Sequence, residues 1–230
     1  MPEVAMRDLH PFIHLLFIGV IALFPVVNPL GTAFIVMPYF KGLTHAERKR
    51  AVRNVTAYAF GISTVALLAG HWIMELFGIS IPVVQLAGGI MICKFGWESL
   101  SDSHDKAEET ASEREPGATY RHLASRLFYP ITFPMTTGAG TMSVLFTLSA
   151  HGTKLRADWA GWLVDMAAIE LAVLVMCALV YLCYLNTEAL VRILGVEGEK
   201  IFNRIIAFLI FCVGLQIATS GAKELFFTRG

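Results

Sequence analysis

The sequence predicts an all-α, polytopic membrane protein with six transmembrane helices. They form two inverted three-helix repeats, each opening with a proline-broken helix. Three observations support this prediction. The chain is 56% apolar and only 16% charged. Its apolar residues occur in blocks of ~20 or more, the length that crosses a bilayer as a helix. The first and fourth blocks each carry two prolines four residues apart, and each proline removes a backbone donor.

After a short polar entry over residues 1–11, the apolar blocks predict six spans. They cover about residues 12–40, 54–77, 82–100, 127–149, 158–185 and 204–227. Thr44 followed by Glu47 predicts a capping box at the start of the second helix. Residues 101–126 are rich in Asp, Glu, Ser and Ala and contain Pro116-Gly117, which indicates a solvated loop. The loop divides the chain into a first repeat over 1–100 and a second over 127–230.

An odd number of spans in each half makes the second half enter the membrane from the opposite side, which is typical of an inverted repeat. Lysine and arginine predict the orientation. Twelve of them flank the face that receives the link after span 1, the 101–126 loop and the link before span 6, against five on the other face. The first face is therefore predicted to be cytoplasmic, and both termini are predicted to lie on the periplasmic side.

The two proline-broken segments are the predicted solute site. Breaking a helix inside the bilayer leaves carbonyls and amides unpaired, and the amides at the start of a half-helix suit a carboxylate. Both segments should meet near the bilayer midplane and bind a small zwitterion or other polar solute. The alternative is that both are packing kinks, with Asn28 capping its own half-helix. The predicted site residues are Asn28, Pro29, Gly31 and Thr32 in span 1, and Thr132, Pro134, Thr136, Thr137, Gly138 and Gly140 in span 4.

Two carboxylates in span 5 are candidates for proton or ion coupling, because a carboxylate inside a membrane is costly and usually functional. Glu170 is the deeper one, and either carries a coupling proton or pairs with Lys94. Asp165 follows Trp159 and Trp162, so it can also belong to the outer interface. Lys94 and Glu98 have the spacing of a helical ion pair.

Other function classes find no support in the sequence. The formal net charge is zero, so no basic surface indicates nucleic acid. No phosphate-binding loop, nucleophile elbow or zinc-protease motif is present, so we expect no enzyme, no catalytic residue and no cofactor. The cysteines and histidines lack metal-ligand spacing, so no metal site is expected. All four cysteines fall in apolar blocks, at Cys93, Cys177, Cys183 and Cys212.

Several motifs resemble the MarC family of bacterial inner-membrane proteins, and the resemblance covers essentially the whole chain. They are Asn28-Pro29-Leu30-Gly31, Phe77-Gly78-Ile79-Ser80, Leu86-Ala87-Gly88-Gly89-Ile90, and Tyr129-Pro130-Ile131-Thr132-Phe133-Pro134 with Gly138-Ala139-Gly140. The family usually has a Gly-Pro-Gly type turn where this chain has Gly138-Ala139-Gly140. The resemblance implies six spans in the bacterial inner membrane and, for some members, transport of small neutral amino acids such as alanine or glycine.

Together these observations predict a secondary transporter of small neutral amino acids or similar polar solutes, working by alternating access. Its partners would be the lipid bilayer and a small-molecule solute coupled to protons or sodium. Two alternatives remain open. The protein can be a non-transporting membrane scaffold that uses the 101–126 loop, or an exporter of another metabolite or drug.

Overall fold

The computed structural model describes residues 2–40, 42–101, 123–155 and 159–227, and helices account for nearly all of these ranges. A short π-helical stretch, named π1, lies between the fourth and fifth α-helices. The elements are α1 (Pro2–Val27), α2 (Pro29–Phe40), α3 (His45–Leu76), α4 (Ile81–Ser101), π1 (Leu127–Thr136), α5 (Ala139–Leu155), α6 (Trp159–Leu185) and α7 (Thr187–Phe227).

Within the described ranges, four helical segments are long and apolar enough to cross a membrane. They are Pro11–Met37, which includes α1 and α2, His45–Gly70, Gly161–Leu185 and Arg204–Phe226. Helix α4 is long enough, but Lys94 and Glu98 lower its mean hydropathy. Helix α5 contributes a shorter apolar stretch, Gly140–Ser149. The chain is therefore an all-helical membrane protein.

The predicted spans over 158–185 and 204–227 agree with the apolar segments Gly161–Leu185 and Arg204–Phe226. The link before span 6 is itself helical, because α7 begins at Thr187 and continues to Phe227 without a proline. Only Asn186 separates α7 from α6. Its amide still donates to the Leu182 carbonyl at 3.1 Å, the bond that a continuous helix would make. The polar entry is also helical, and α5 continues to Leu155. Most of the predicted 101–126 loop, residues 102–122, lies outside the described residues.

The start of α3 has the predicted capping box. The Glu47 amide donates to the Thr44 hydroxyl at 3.3 Å, and the Thr44 amide donates to the Glu47 carboxylate at 2.9 Å. Two amides that have no partner within the helix are satisfied in this way. The turn between α3 and α4 passes through Gly78, whose φ of +63° is accessible to glycine at little cost.

The helices of the two halves cross-pack through close contacts at glycine. Gly19 of α1 lies against α6, where a β-carbon at position 19 would come 2.8 Å from the Ala172 β-carbon. Gly70 of α3 lies against α5, where a β-carbon would come 2.7 Å from the Phe146 ring. Small residues let membrane helices approach closely where lipid supplies no hydrophobic driving force. Span 1 therefore packs on span 5, and span 2 packs on span 4.

Helices α4 and α7 form the most extensive contact between two helices in the described structure. They run antiparallel, and each presents glycines to the other. A β-carbon at Gly89 would lie 2.7 Å from the Gly214 carbonyl oxygen, and one at Gly214 would lie 2.9 Å from the Gly89 carbonyl oxygen. Any side chain larger than hydrogen at either position would meet the opposite backbone.

The same contact recurs one heptad away, and its residues are equivalent under one offset. A β-carbon at Gly96 would lie 3.0 Å from the Ala207 carbonyl oxygen, and one at Gly221 would lie 2.6 Å from the Pro82 carbonyl oxygen. Gly221 follows Gly96 by 125 positions, and Ala207 follows Pro82 by the same 125 positions. Gly214 follows Gly89 by that offset as well. The interface is therefore reciprocal, as in a contact between two copies of one motif.

Candidate functional site

The first helix breaks at Asn28, as the sequence predicts. Asn28 separates α1 from α2 and has a φ of +44°, in the left-handed region that asparagine tolerates better than most residues. Its side-chain oxygen accepts a hydrogen bond from the Gly31 amide at 3.1 Å. Pro29 occupies the first position of α2, where a missing amide hydrogen has no cost. Asn28 is therefore the N-cap of α2.

This cap matches the alternative stated for the first break, in which Asn28 caps its own half-helix. The amides after the break were also considered for a solute carboxylate, and at Gly31 the Asn28 side chain already satisfies the amide. The helical hydrogen bonds also continue across the break, since the Thr32 amide donates to the Asn28 carbonyl at 2.9 Å. The Thr32 hydroxyl donates to the same carbonyl at 2.8 Å. The break therefore bends the helix and leaves no free amide at Gly31.

The second break, in π1, is wider. Tyr129 and Phe133 have extended backbones, with φ/ψ of −124°/124° and −117°/121°. Each precedes a proline, and a proline disfavours the helical conformation of the residue before it. The carbonyls freed inside the segment are satisfied by hydroxyls: Thr132 donates to Leu127 at 2.6 Å, and Thr136 donates to Ile131 at 2.7 Å.

Tyr184 of α6 lies beside both broken segments. Its side chain is fully buried, and its hydroxyl oxygen lies 2.9 Å from the Thr136 hydroxyl oxygen of π1. The Thr136 hydroxyl hydrogen is directed to the Ile131 carbonyl of its own segment, so the Tyr184 hydroxyl is the donor in this contact. Thr32 of α2 lies near the phenol, and its own hydroxyl donates to the Asn28 carbonyl. Tyr184 therefore bonds the second break and lies beside the first.

A small cavity lies beside this junction. Its volume is about 20 Å³, which is room for about one water molecule. Its wall is mainly apolar, and the hydroxyl-bearing residues in the lining come from α3, from π1 and from the residues that follow π1. The lining residues are Leu23, Val27, Ala59, Ser63, Thr136, Thr137, Thr141, Val173, Met176, Cys177 and Val180.

Several polar atoms around the cavity are buried and have no hydrogen-bond partner among the described residues. The Thr141 hydroxyl is one, and it lines the cavity directly. The second carboxylate oxygen of Glu170 is another. Its first oxygen accepts a hydrogen bond from the Thr64 hydroxyl at 2.5 Å. Glu170 lies one helical turn from Val173, which lines the cavity.

The pairing considered between Glu170 and Lys94 is not observed. Lys94 instead pairs with Glu98 on α4, at 3.7 Å, and both side chains are more than half exposed. The i,i+4 pair predicted for these two residues is confirmed. Asp165 is buried within the protein, with 4% of its surface exposed.

A second, larger cavity of about 200 Å³ lies at another side of the second break. It is a groove whose polar part is the Lys94–Glu98 pair and whose remaining wall is apolar or glycine. Its lining residues are Val26, Met91, Ile92, Lys94, Phe95, Glu98, Met135, Gly138, Gly140 and Ile210. The second break thus lies between a small, mainly apolar cavity and a wider groove that contains a charged pair.

The structure divides the predicted site residues into three groups. Thr136 and Thr137 line the small cavity, whereas Gly138 and Gly140 line the groove. The remaining ones do not line either of these two cavities: Asn28, Pro29, Gly31, Thr32, Thr132 and Pro134. Asn28, Thr32 and Thr132 instead shape the backbone of the two breaks through their hydrogen bonds.

Sequence reasoning missed Tyr184, Ser63, Thr141 and Arg48. Ser63 and Thr141 are hydroxyls inside apolar blocks, a weak signal because such hydroxyls often bond only to their own helix. Tyr184 ends a long apolar run and has no neighbouring motif. Arg48 was counted only as one of a cluster of cytoplasmic basic residues.

Comparison with known proteins identifies the family. Residues 13–226 match the model described as MarC family integral membrane protein. The inner membrane protein MarC of Salmonella paratyphi A is 29% identical over 211 residues, which cover 90% of this chain and 94% of that protein. The proteins of the same name from Citrobacter koseri and Escherichia coli are each 30% identical, over 215 and 217 residues, with the same coverage. No solved structure matches the chain.

The names of these relatives place them in the inner membrane, and the four long apolar segments described above suit a multi-pass protein of that membrane. The family match covers both broken segments, α6 and most of α7. The chain therefore belongs to the MarC family of integral membrane proteins.

Proposed function

We propose that this protein is a secondary transporter of small polar solutes, with small neutral amino acids such as alanine, glycine and serine as the substrate class. It has six spans in two inverted repeats, and it exposes its central site alternately to the two sides of the inner membrane. The alternating movement takes place between the repeat over 1–100 and the repeat over 127–230.

One observation carries this proposal. Hydroxyls from spans 2 and 4 line a small cavity, and one of them, Thr136, contacts the Tyr184 hydroxyl of span 5. In a bilayer, an unpaired buried hydroxyl such as that of Thr141 is costly unless water or a solute satisfies it. Two kinks that served only packing would leave this hydroxyl unexplained. A small solute that enters when the cavity widens, and that forms hydrogen bonds, would satisfy it.

The reciprocal contacts of α4 and α7 support the inverted repeat. Equivalent glycines in the two halves contact each other's backbones under one sequence offset. The cross-packing of span 1 on span 5 and of span 2 on span 4 has the same symmetry. In transporters of this design the solute binds where the repeats meet, near the midplane and beside broken helices.

Glu170 is the proposed coupling residue. It is a carboxylate within a membrane-spanning helix, one oxygen is paired only with a hydroxyl, and the other is buried without a partner among the described residues. An ionisable side chain inside a membrane-spanning helix is costly, and this makes Glu170 a candidate for coupling. Asp165 is a second buried carboxylate of the same helix and has the weaker claim, because it does not adjoin the cavity lining.

The proposal is tested by uptake into proteoliposomes of the purified protein. Labelled alanine, glycine and serine are supplied with and without imposed proton and sodium gradients. Thr141→Val is the informative variant, because it removes a hydroxyl that bonds no described residue and should leave folding intact. We expect it to lower uptake up to about tenfold, the effect of one hydrogen bond of about 1.4 kcal/mol to the solute.

Thr219→Val is the matched control. Thr219 is exposed on α7, and its hydroxyl bonds the Leu215 carbonyl at 2.8 Å, far from the cavity. Equal uptake by both variants would place the solute elsewhere. No uptake of any of the three amino acids by folded, inserted protein would refute this substrate class. Efflux assays with other metabolites and drugs would then test an exporter, and deletion within the 101–126 loop would test a scaffold.

A further inference from the structure

A buried arginine lies beneath the proposed site, on the side predicted to be cytoplasmic. Arg48 belongs to the first turns of α3, and only 11% of its side chain is exposed. One guanidinium nitrogen donates to the Glu188 carboxylate at 2.6 Å, and the other terminal nitrogen donates to the Tyr184 carbonyl at 3.1 Å. Arg48 therefore ties span 2 to the junction between spans 5 and 6.

Because Arg48 is buried, its contact with the α6–α7 junction depends on the ion pair with Glu188. The Nε atom of Arg48 is buried and has no partner among the described residues. A buried guanidinium is costly when its counter-charge is lost. Glu188, by contrast, has a side chain that is 70% exposed, so water can solvate its carboxylate when the pair separates. The cost of separation therefore falls on Arg48, which stays bonded to the Tyr184 carbonyl, rather than on Glu188.

Tyr184 lies between Arg48 and the cavity. Val180 and Cys177, one and two turns before Tyr184 on α6, both line the cavity. The Tyr184 hydroxyl bonds the second break, and its carbonyl receives Arg48. Phe40, the last residue of α2, packs edge-on against the phenol with ring centroids 6.2 Å apart. Together these residues close the path from the cavity towards Arg48.

We propose that Arg48, Glu188 and Tyr184 form the cytoplasmic gate of this transporter. Separation of Arg48 from Glu188 releases the α6–α7 junction from span 2, and Tyr184 then leaves Thr32 and Thr136. Water and solute reach the cavity from the cytoplasm in that state. The structure, in which Arg48 contacts Glu188 and Tyr184, represents the closed state of the gate. The proposal rests on the proposed function, but its test needs no solute.

Cys177 supplies a probe at the cavity itself, since it lines the cavity and is buried. The other cysteines, Cys93, Cys183 and Cys212, are changed to serine. Inside-out membrane vesicles, whose cytoplasmic face is outside, are treated with a charged, membrane-impermeant thiosulfonate, and the rate of Cys177 modification is measured by mass shift. We expect Cys177 to react slowly in this background.

Glu188→Gln is the deciding variant. Because Glu188 is largely exposed, the change should not unfold the protein, yet it removes the charge that holds Arg48. We expect Cys177 to react at least about tenfold faster than in the background, the effect of about 1.4 kcal/mol on the gate equilibrium. Lys49→Gln, an exposed neighbour that carries the same charge as Arg48, should leave the rate unchanged.

The charge-exchanged double variant, Arg48→Glu with Glu188→Arg, adds a second readout. If the ion pair is what closes the gate, the double variant should restore slow modification relative to Glu188→Gln. The proposal is overturned if Cys177 of folded Glu188→Gln protein reacts no faster than that of Lys49→Gln. Rapid reaction in the unaltered gate would overturn it as well. If Cys177 of Glu188→Gln reacts faster as expected but the protein takes up no amino acid, the gate is supported and the proposed substrate class is refuted.

Discussion

The Tyr184 hydroxyl lies 2.9 Å from the Thr136 hydroxyl, although the two residues are 48 positions apart. The phenol bonds the second proline-broken segment through this contact and lies beside Thr32 of the first. The Tyr184 side chain is fully buried. The contact between the two hydroxyls therefore contributes to stability and, in the proposed transport cycle, must open.

Tyr184→Phe removes the phenol oxygen and leaves the ring packing intact. Thr136 keeps its bond to the Ile131 carbonyl, so the change should cost only about 0.5–1.5 kcal/mol of unfolding free energy. Tyr184→Ala also leaves a cavity and should cost about 3–5 kcal/mol. Chemical unfolding in detergent measures both changes. If both variants lost the same unfolding free energy, the hydroxyl rather than the ring would supply the stability that Tyr184 contributes.

Asn28 has two separable roles, the cap and the left-handed backbone. Asn28→Gly keeps the backbone geometry and loses the Gly31 cap, at a cost of a few tenths of a kcal/mol or about 1 kcal/mol at most. Asn28→Ala loses the cap and adds left-handed strain of about 1–2 kcal/mol. We therefore expect alanine to be the more damaging substitution in the same unfolding assay. The reverse order would contradict the φ of +44°.

Gly→Ala changes should have opposite effects at a glycine in the contact between α4 and α7 and at a glycine with open space around it. Gly89→Ala would place a β-carbon 2.7 Å from the Gly214 carbonyl oxygen, so the helices must separate and the melting temperature should fall. Gly61→Ala, within α3 and with open space around it, should stabilise the helix by up to about 1 kcal/mol. Thermal unfolding of the two variants in one detergent compares them directly. A harmless Gly89→Ala would rule out close backbone contact at that position.

Glu170→Gln tests coupling without removing the acceptor for Thr64. The amide oxygen can still accept that hydrogen bond, so the protein should fold normally. A neutral side chain cannot carry a proton, so uptake should lose its dependence on the imposed proton gradient while solute exchange continues. Proteoliposome uptake and counterflow separate these two activities. Gradient-driven uptake at the original rate would assign coupling to another group, with Asp165→Asn the next variant.

The proposed orientation predicts where reporters are active. A reporter enzyme that folds only outside the cytoplasm should be active when fused after Gly230 and inactive when inserted in the 101–126 loop. A fluorescent reporter that folds only in the cytoplasm should show the reverse. This result follows from the excess of lysine and arginine on one face. The opposite pattern would invert the chain and place Arg48 at the periplasmic side.

Features that depend on neighbouring residues were predictable. The Thr44–Glu47 capping box, the Lys94–Glu98 pair and the helix break at Asn28 all arise within four residues, so their spacing in the sequence reveals them. The span over 204–227 was predictable from its apolar block, whereas the helical structure of the polar link before it, from Thr187, was not part of the prediction. The cap at Gly31 matches the interpretation in which Asn28 caps its own half-helix, one of the two that the sequence left open.

By itself, the amino-acid sequence determined that this chain is a helical membrane protein of the MarC type and that two of its helices are interrupted by proline. Composition, block length and backbone chemistry act locally and need no knowledge of the fold. Only the tertiary structure decided that Tyr184 bonds the second break, that Thr141 faces a cavity, and that Arg48 meets Glu188 across 140 positions. Those relationships depend on how helices rotate and pack against each other, because packing selects which face of each apolar helix is turned inward.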